Sequence, residues 1–181
     1  MTTATEAIGE MKAKEAPVNL EAIFRAHYPR VVRIVARVVR DPARAEELAV
    51  EVFLKLWRNQ GNQADNMDAW LYRVAVRTAL DELRSRTRRA RYQHFLRFLH
   101  KENSPPTPEQ IHRATEEQAR VRLILSRMEP RQAEFLVLRS QGFSYEELAT
   151  ILNLNRASIG TLLFRAQQVF RREYIKRYGE R

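Results

Sequence analysis

Ser144-Tyr145-Glu146-Glu147-Leu148-Ala149-Thr150-Ile151-Leu152, then Asn153-Leu154-Asn155, then Arg156-Ala157-Ser158-Ile159-Gly160-Thr161-Leu162-Leu163-Phe164-Arg165 is the stretch on which the fold turns. Ser144 followed three residues later by Glu147 is a capping box, and Phe143 with Leu148 is placed as a hydrophobic staple. A short helix therefore starts here and ends at the Asn-rich turn. Asn155 can cap a second helix, in which Ile159, Leu162, Leu163, Ala166, Val169 and Phe170 form one apolar stripe. The other face carries Ala157, Thr161, Phe164, Arg165, Gln168 and Arg172. A helix buried on one side, with small, polar and basic groups on the other, has the make-up of a recognition helix in a helix-turn-helix. A ligand-free helical hairpin would share the pattern, and a slight rotation would make Phe164 core.

Working outward from this stretch, Pro130 opens the preceding helix and Gly142 closes it. Before that, Val121, Ile124, Leu125 and Met128 keep helical spacing. Ser104-Pro105-Pro106-Thr107-Pro108 cannot sit inside a helix. The reading is all-α: two small helical domains joined by a flexible linker. Residues 1–18 are expected as a tail, 19–98 as one domain, 99–114 as the linker and 115–181 as the helix-turn-helix domain.

In the first domain, Ile23, Phe24, Val31, Ile34, Val35 and Val38 mark one helix, and Asp41-Pro42 caps and starts the next. That second helix buries Ala45, Leu48, Ala49, Val52, Phe53 and Leu56. Its reverse face holds Glu47, Val50, Glu51 and Leu54. Two carboxylates around two exposed aliphatics suit docking on a basic partner with an apolar centre; an ordinary charged face with two incidental aliphatics has the same pattern. After a polar loop over 59–67, a long helix sets Leu71, Ala75, Ala79 and Leu83 inward and Trp70, Arg73, Arg77, Arg84, Arg88 and Arg91 on the other side. From Asp68 to Arg91 it spans roughly 35 Å, about one turn of duplex. Its arginines can track phosphates. Trp70 can stack on an unpaired base or anchor the core.

Composition agrees. The chain has 181 residues and a net charge of +10, and the arginines are clustered, which favours a polyanionic partner. With no cysteine, thiolate zinc sites, disulfides and Cys nucleophiles are excluded. No apolar run is long enough to span a bilayer, and no signal segment is visible, so a cytoplasmic protein without membrane insertion is expected. No Walker loop, zincin helix or nucleophile elbow is present, and the four histidines lack metal-ligand spacing. No catalytic residue, metal or cofactor is assigned. Asp81 reads as an ion-pair partner of its neighbouring arginines.

Ala45-Glu46-Glu47-Leu48-Ala49-Val50-Glu51-Val52-Phe53-Leu54-Lys55-Leu56-Trp57 resembles the region-two motif of bacterial sigma factors of the extracytoplasmic-function (ECF) group. Trp70 to Ala75 and Ala79 to Arg84 continue it in order. Leu125 to Gln132, Tyr145 to Ala149 and Leu163 to Ala166 resemble region four of the same family. The resemblance implies a subunit that binds core RNA polymerase and directs promoter recognition, DNA opening and transcription initiation, without bond chemistry of its own. It places Glu47, Val50, Glu51 and Leu54 against the β′ clamp helices, with the β subunit as a further contact. It places Gly61, Trp70, Arg73, Arg77, Arg84, Arg88 and Arg91 at the minus-ten element. Asn155, Arg156, Ala157, Ser158, Gly160, Thr161, Phe164 and Arg165 fall at the minus-thirty-five element. It also admits an anti-sigma factor as partner.

The chain departs from the family pattern at several positions. Val50 stands where Gln is usual, Gly61 near the place of a Phe, and Arg77 where Asn is common; Gly160 and Leu162 replace basic residues. Val50 and Gly160 keep a second reading open, a stand-alone helix-turn-helix regulator that binds DNA without polymerase. A basic membrane-surface protein is disfavoured, because the apolar stripes are needed for two cores.

Overall fold

The computed structural model describes residues 20–58, 66–100 and 113–179, with side chains over 20–58, 66–93 and 116–179. The expected tail over 1–18, most of the polar loop with Gly61, and most of the expected linker lie outside the described residues. Within them the chain forms seven helices and no strand: α1 (Leu20–Val39), α2 (Pro42–Arg58), α3 (Met67–His100), α4 (Arg113–Arg127), α5 (Pro130–Ser140), α6 (Tyr145–Leu152) and α7 (Arg156–Tyr178). The all-α expectation holds.

The helix ends follow local chemistry. Arg40 takes a left-handed conformation (φ 58°) and donates its N–H to the Ala36 carbonyl at 2.8 Å, which closes α1. Asp41 then accepts from the Arg44 N–H at 3.1 Å, with Pro42 as the first residue of α2. The Glu129 carboxylate accepts from the N–H groups of Arg131 and Gln132 and caps α5. Ser144 and Glu147 form the expected capping box, and Asn153 (φ 52°) turns the chain out of α6. Asn155 caps α7 by accepting from the Ala157 N–H at 2.9 Å.

Helices α1, α2 and α3 pack on one another, and α4, α5 and α6 each pack on α7 or on a neighbour in the same group. Val31, Val35, Ala45, Ala49, Val52, Leu71, Ala75 and Ala79 are sealed from solvent in the first group. Ala133, Leu138, Leu148, Ile159 and Ala166 are sealed in the second. Truncating a sealed leucine such as Leu71 or Leu148 to Ala should cost about 2–5 kcal/mol, from lost transfer energy and the cavity left behind.

One feature differs from the sequence expectation. Helix α3 runs to His100 and α4 begins at Arg113, so both ends of the expected 99–114 linker are helical. No proline or glycine interrupts the chain between Met67 and His100 to stop α3 earlier. The two groups, whose arrangement the sequence leaves open, are in contact: α3 packs against α4, α5 and α6 as well as α1 and α2. Its buried residues accordingly include Tyr72, Val76 and Leu80, beyond the single expected stripe.

Candidate nucleic-acid interface

On α2, the inward residues expected from spacing are all buried, and the reverse face is open as expected. Val50 and Leu54 are each 42% exposed, and Glu47 is exposed beside them. Glu51 is half-buried. Arg44, one turn before, reaches Glu47 at 2.8 Å, Glu51 at 3.7 Å and Glu82 of α3 at 3.0 Å. This face is therefore partly neutralised within the molecule. Val50 and Leu54 also border a groove of about 500 Å³ whose other walls are Leu20, Phe24, Phe53 and Trp57. Trp57 is 58% exposed. Sequence reading did not include it in the site, although it follows Val50 and Leu54 at i+7 and i+3 and so shares their side of the helix.

On α3 the arginines divide. Arg88 and Arg91 are exposed. Arg84 pairs with Asp81 at 3.0 Å, the local ion pair expected for Asp81. Trp70 is partly buried against the core, and Arg73 is half-buried. Burial, and then the nearby Arg77 charge, lower the Arg73 pKa from its ordinary value. Arg77 donates from Nε to the Glu134 carboxylate of α5 at 2.8 Å. The arginine stripe is thus not uniformly free: Arg88 and Arg91 are open, Arg73 is half-buried, and Arg77, although exposed, is tied to Glu134 of the second helical group.

Glu134, Arg30, Tyr72 and Phe143, which sequence reading left out of the site, build this junction. Glu134 is 4% exposed, a carboxylate on the buried face of α5 between Ala133 and Phe135. The Arg30 guanidinium of α1 lies 4.7 Å from the Tyr72 ring and 4.6 Å from the Phe143 ring. Tyr72 in turn meets Phe143 at 5.4 Å and contacts His27 Nδ1 through its hydroxyl at 3.1 Å. A carboxylate inside an apolar stripe was the available signal for Glu134. Arg30 had none, since its partners are distant in sequence.

On α7, Asn155, Arg156, Ala157, Ser158, Thr161, Phe164 and Arg165 are all exposed, while Ile159, Leu163 and Ala166 are buried. Phe164, at 59% exposed, lies on the outer face rather than in the core. Gly160 is half-covered by the Tyr145 ring of α6. Arg156 approaches Glu146 at 3.5 Å. The geometry leaves a helix N-terminus with short side chains, flanked by two arginines, open on the surface. Among the described residues no group of three or more His, Cys, Asp or Glu side chains could hold a metal ion. No helix among them is long and apolar enough to cross a membrane.

Comparison with known proteins bears on both surfaces. Residues 23–89 match the family model described as Sigma-70 region 2, and residues 118–168 match the one described as Sigma-70, region 4. The chain is 29% identical over 149 residues to the RNA polymerase sigma-H factor of Pseudomonas aeruginosa, covering 77% of each chain. It is 26% identical over 183 residues to the ECF RNA polymerase sigma factor SigE of Mycolicibacterium smegmatis, covering 98% of this chain and 68% of that one. Among solved structures it resembles CnrH, determined in complex with the cytosolic domain of CnrY, with a TM-score of 0.50 at 16% identity over 83% of this chain and 84% of that one.

Proposed function

Because the chain belongs to the sigma-70 family of transcription initiation factors, in its ECF group, we propose that it works through three separate surfaces. The observation that carries this reading is the pairing of a region-two match with a region-four match in one chain, each containing an exposed face of suitable chemistry. The α2 face with Glu47, Val50, Glu51 and Leu54, extended by Trp57, docks on core RNA polymerase at the β′ clamp helices, with the β subunit as a further contact. An apolar centre ringed by carboxylates is complementary to a basic partner surface.

The α3 residues Trp70, Arg73, Arg77, Arg84, Arg88 and Arg91, with Gly61 in the loop before them, meet the minus-ten element of promoter DNA. Arg88 and Arg91 are exposed and can take phosphates directly. Arg73 and Arg77 need the second helical group to move off α3 first. The N-terminal half of α7, with Asn155, Arg156, Ala157, Ser158, Gly160, Thr161, Phe164 and Arg165, enters the major groove at the minus-thirty-five element. Such a protein acts in the cytoplasm, where the template is, and an anti-sigma factor is a further partner; CnrH, a protein of similar fold, was determined with the cytosolic domain of CnrY bound.

Enrichment of random genomic fragments on core polymerase loaded with this protein tests the reading. The expected result is a two-part motif with fixed spacing, absent when either component is omitted. Enrichment of one motif by the protein alone, with none added by polymerase, would favour the stand-alone regulator.

A further inference from the structure

Where the end of α1 meets α4 and the end of α5, the two helical groups line a half-open pocket of about 320 Å³, at which Arg37 and Arg40 are exposed and Arg122 is half-buried. Its size corresponds to on the order of ten water molecules. Arg37 and Arg40 of α1 and Arg122 of α4 all line it. None of the three side chains has a hydrogen bond or ion pair within the described residues. This sets them apart from Arg44, Arg77, Arg84 and Arg86, each of which has a carboxylate.

The rest of the wall supplies one carboxylate against these three charges. Glu117 is the carboxylate there, and it is turned to Tyr174, whose hydroxyl donates to it at 2.7 Å. Ser140 donates its hydroxyl proton to the Val137 carbonyl. The amide nitrogen of Gln141 is buried without an acceptor. The wall thus sets three guanidinium groups and a buried amide nitrogen against the one carboxylate of Glu117. Arg122 feels this: burial first, then the charges of Arg40 and Arg86, lower its pKa from the ordinary value. A partly buried guanidinium among like charges is a costly arrangement in a protein free to place a carboxylate beside it.

We propose that this pocket is a binding site for a small oxyanion of the phosphate class, a phosphate or diphosphate group held by Arg40 and Arg122 with Arg37 supplying the third charge. The guanidinium fork matches phosphate oxygens two at a time, and three cations against one carboxylate suit a multiply charged anion. A small free anion suits a pocket of this size, whose walls come from both helical groups. The site exists only when α4 and α5 sit against α1. The bound anion therefore holds the two groups together and opposes release of Arg73 and Arg77, linking the level of such an anion to the availability of α3.

Calorimetric titration of the full chain with inorganic pyrophosphate, at constant ionic strength set with chloride, tests this. Saturable binding at one site is expected, weakened about ten-fold or more in both Arg122→Gln and Arg40→Gln and unchanged in Lys176→Gln, an exposed cation far along α7. Helix content by circular dichroism identifies any variant that fails to fold, and the two independent variants keep the comparison decisive. Absence of saturable heat, or equal weakening in Lys176→Gln, would overturn the proposal. So would displacement of pyrophosphate by a random duplex at stoichiometric concentration, which would make the site part of a nucleic-acid track. None of these outcomes bears on membership of the sigma-70 family, which rests on matches spread over residues 23–89 and 118–168.

Discussion

Arg77 on α3 and Glu134 on α5, 57 positions apart, form an ion pair with Nε to Oε1 at 2.8 Å and Nη2 to Oε2 at 3.4 Å. The carboxylate side chain is 5% exposed and the guanidinium side chain 50%. The pair is thus a buried anion held by a half-solvated cation. It fastens the helix-turn-helix group to the helix expected to meet the minus-ten element.

The asymmetry predicts unequal effects. Arg77→Ala strands a buried carboxylate and should destabilise the chain by about 1–3 kcal/mol, discounted from a fully buried pair because Arg77 is half in water. Glu134→Gln leaves an arginine that water can solvate and should cost less. Urea unfolding of both variants and of the double variant checks this. Equal losses would mean that the pair contributes little beyond packing.

Glu134→Lys places like charges across the same junction. It should raise the radius of gyration measured by small-angle scattering and increase cleavage between the two groups by a protease. An unchanged radius would show that Arg30 between Tyr72 and Phe143, together with the apolar contacts, holds the groups without this pair.

The α2 face predicts loss of polymerase affinity when its charge or its apolar centre is removed. Glu51→Lys and Leu54→Ala should each weaken binding to core RNA polymerase by about five- to thirty-fold, or 1–2 kcal/mol. Glu47→Lys should do less, because Arg44 already neutralises that carboxylate at 2.8 Å. Trp57→Ala should match or exceed Leu54→Ala if the groove it borders takes a side chain of the partner. Fluorescence anisotropy titration with labelled protein reads each value.

Acid should loosen the first group of helices in a definite window. Hydrogen bonding from Arg44 holds the Glu82 carboxyl below its ordinary value of 4.5, against some opposition from burial and with further help from Arg86. The Arg44 N–H, and then Arg86, hold Asp41 below its ordinary 3.8. Both groups bind protons more weakly folded than unfolded, so their contribution is complete above those ordinary values and is lost as pH falls through the depressed ones. Melting temperature should be flat from pH 7 to about 5 and decline below about 4.5. Glu82→Gln should melt lower at pH 7 and decline less steeply in acid.

Two glycines predict opposite signs. A Cβ at Gly160 would meet the Tyr145 ring at 3.6 Å, an ordinary contact, inside a regular helix. Gly160→Ala should stabilise by about 0.5–1 kcal/mol. Gly142 has φ 90°, and Gly142→Ala should destabilise by about 1–2 kcal/mol. Thermal melting of both separates helix propensity from backbone strain.

These residues also mark what could be read without coordinates. The α2 and α7 stripes were legible because each helix buries one face against its own neighbours, and a 3.6-residue period reports that directly. The caps at Asp41, Ser144 and Asn155 were legible because capping is local. Helix α3 was legible only in part. It is covered from two sides, so Tyr72, Val76 and Leu80 are buried outside the stripe of Leu71, Ala75, Ala79 and Leu83. Periodicity cannot reveal a second cover supplied by residues more than fifty positions away. For the same reason Arg77 reads in the sequence as one more phosphate ligand, and only the fold reveals that Glu134 holds it. The groove beside Trp57 escaped because its far wall comes from α1.

Run-off transcription with purified core RNA polymerase tests the central claim most directly, using a template carrying a promoter recovered with the loaded enzyme. The account predicts a single start site with wild-type protein, a strongly reduced yield from that same site with Arg88→Ala combined with Arg91→Ala, and no specific transcript from core polymerase alone. Full-length folded protein that binds core polymerase yet yields no transcript above the core-alone level on any such promoter would contradict it.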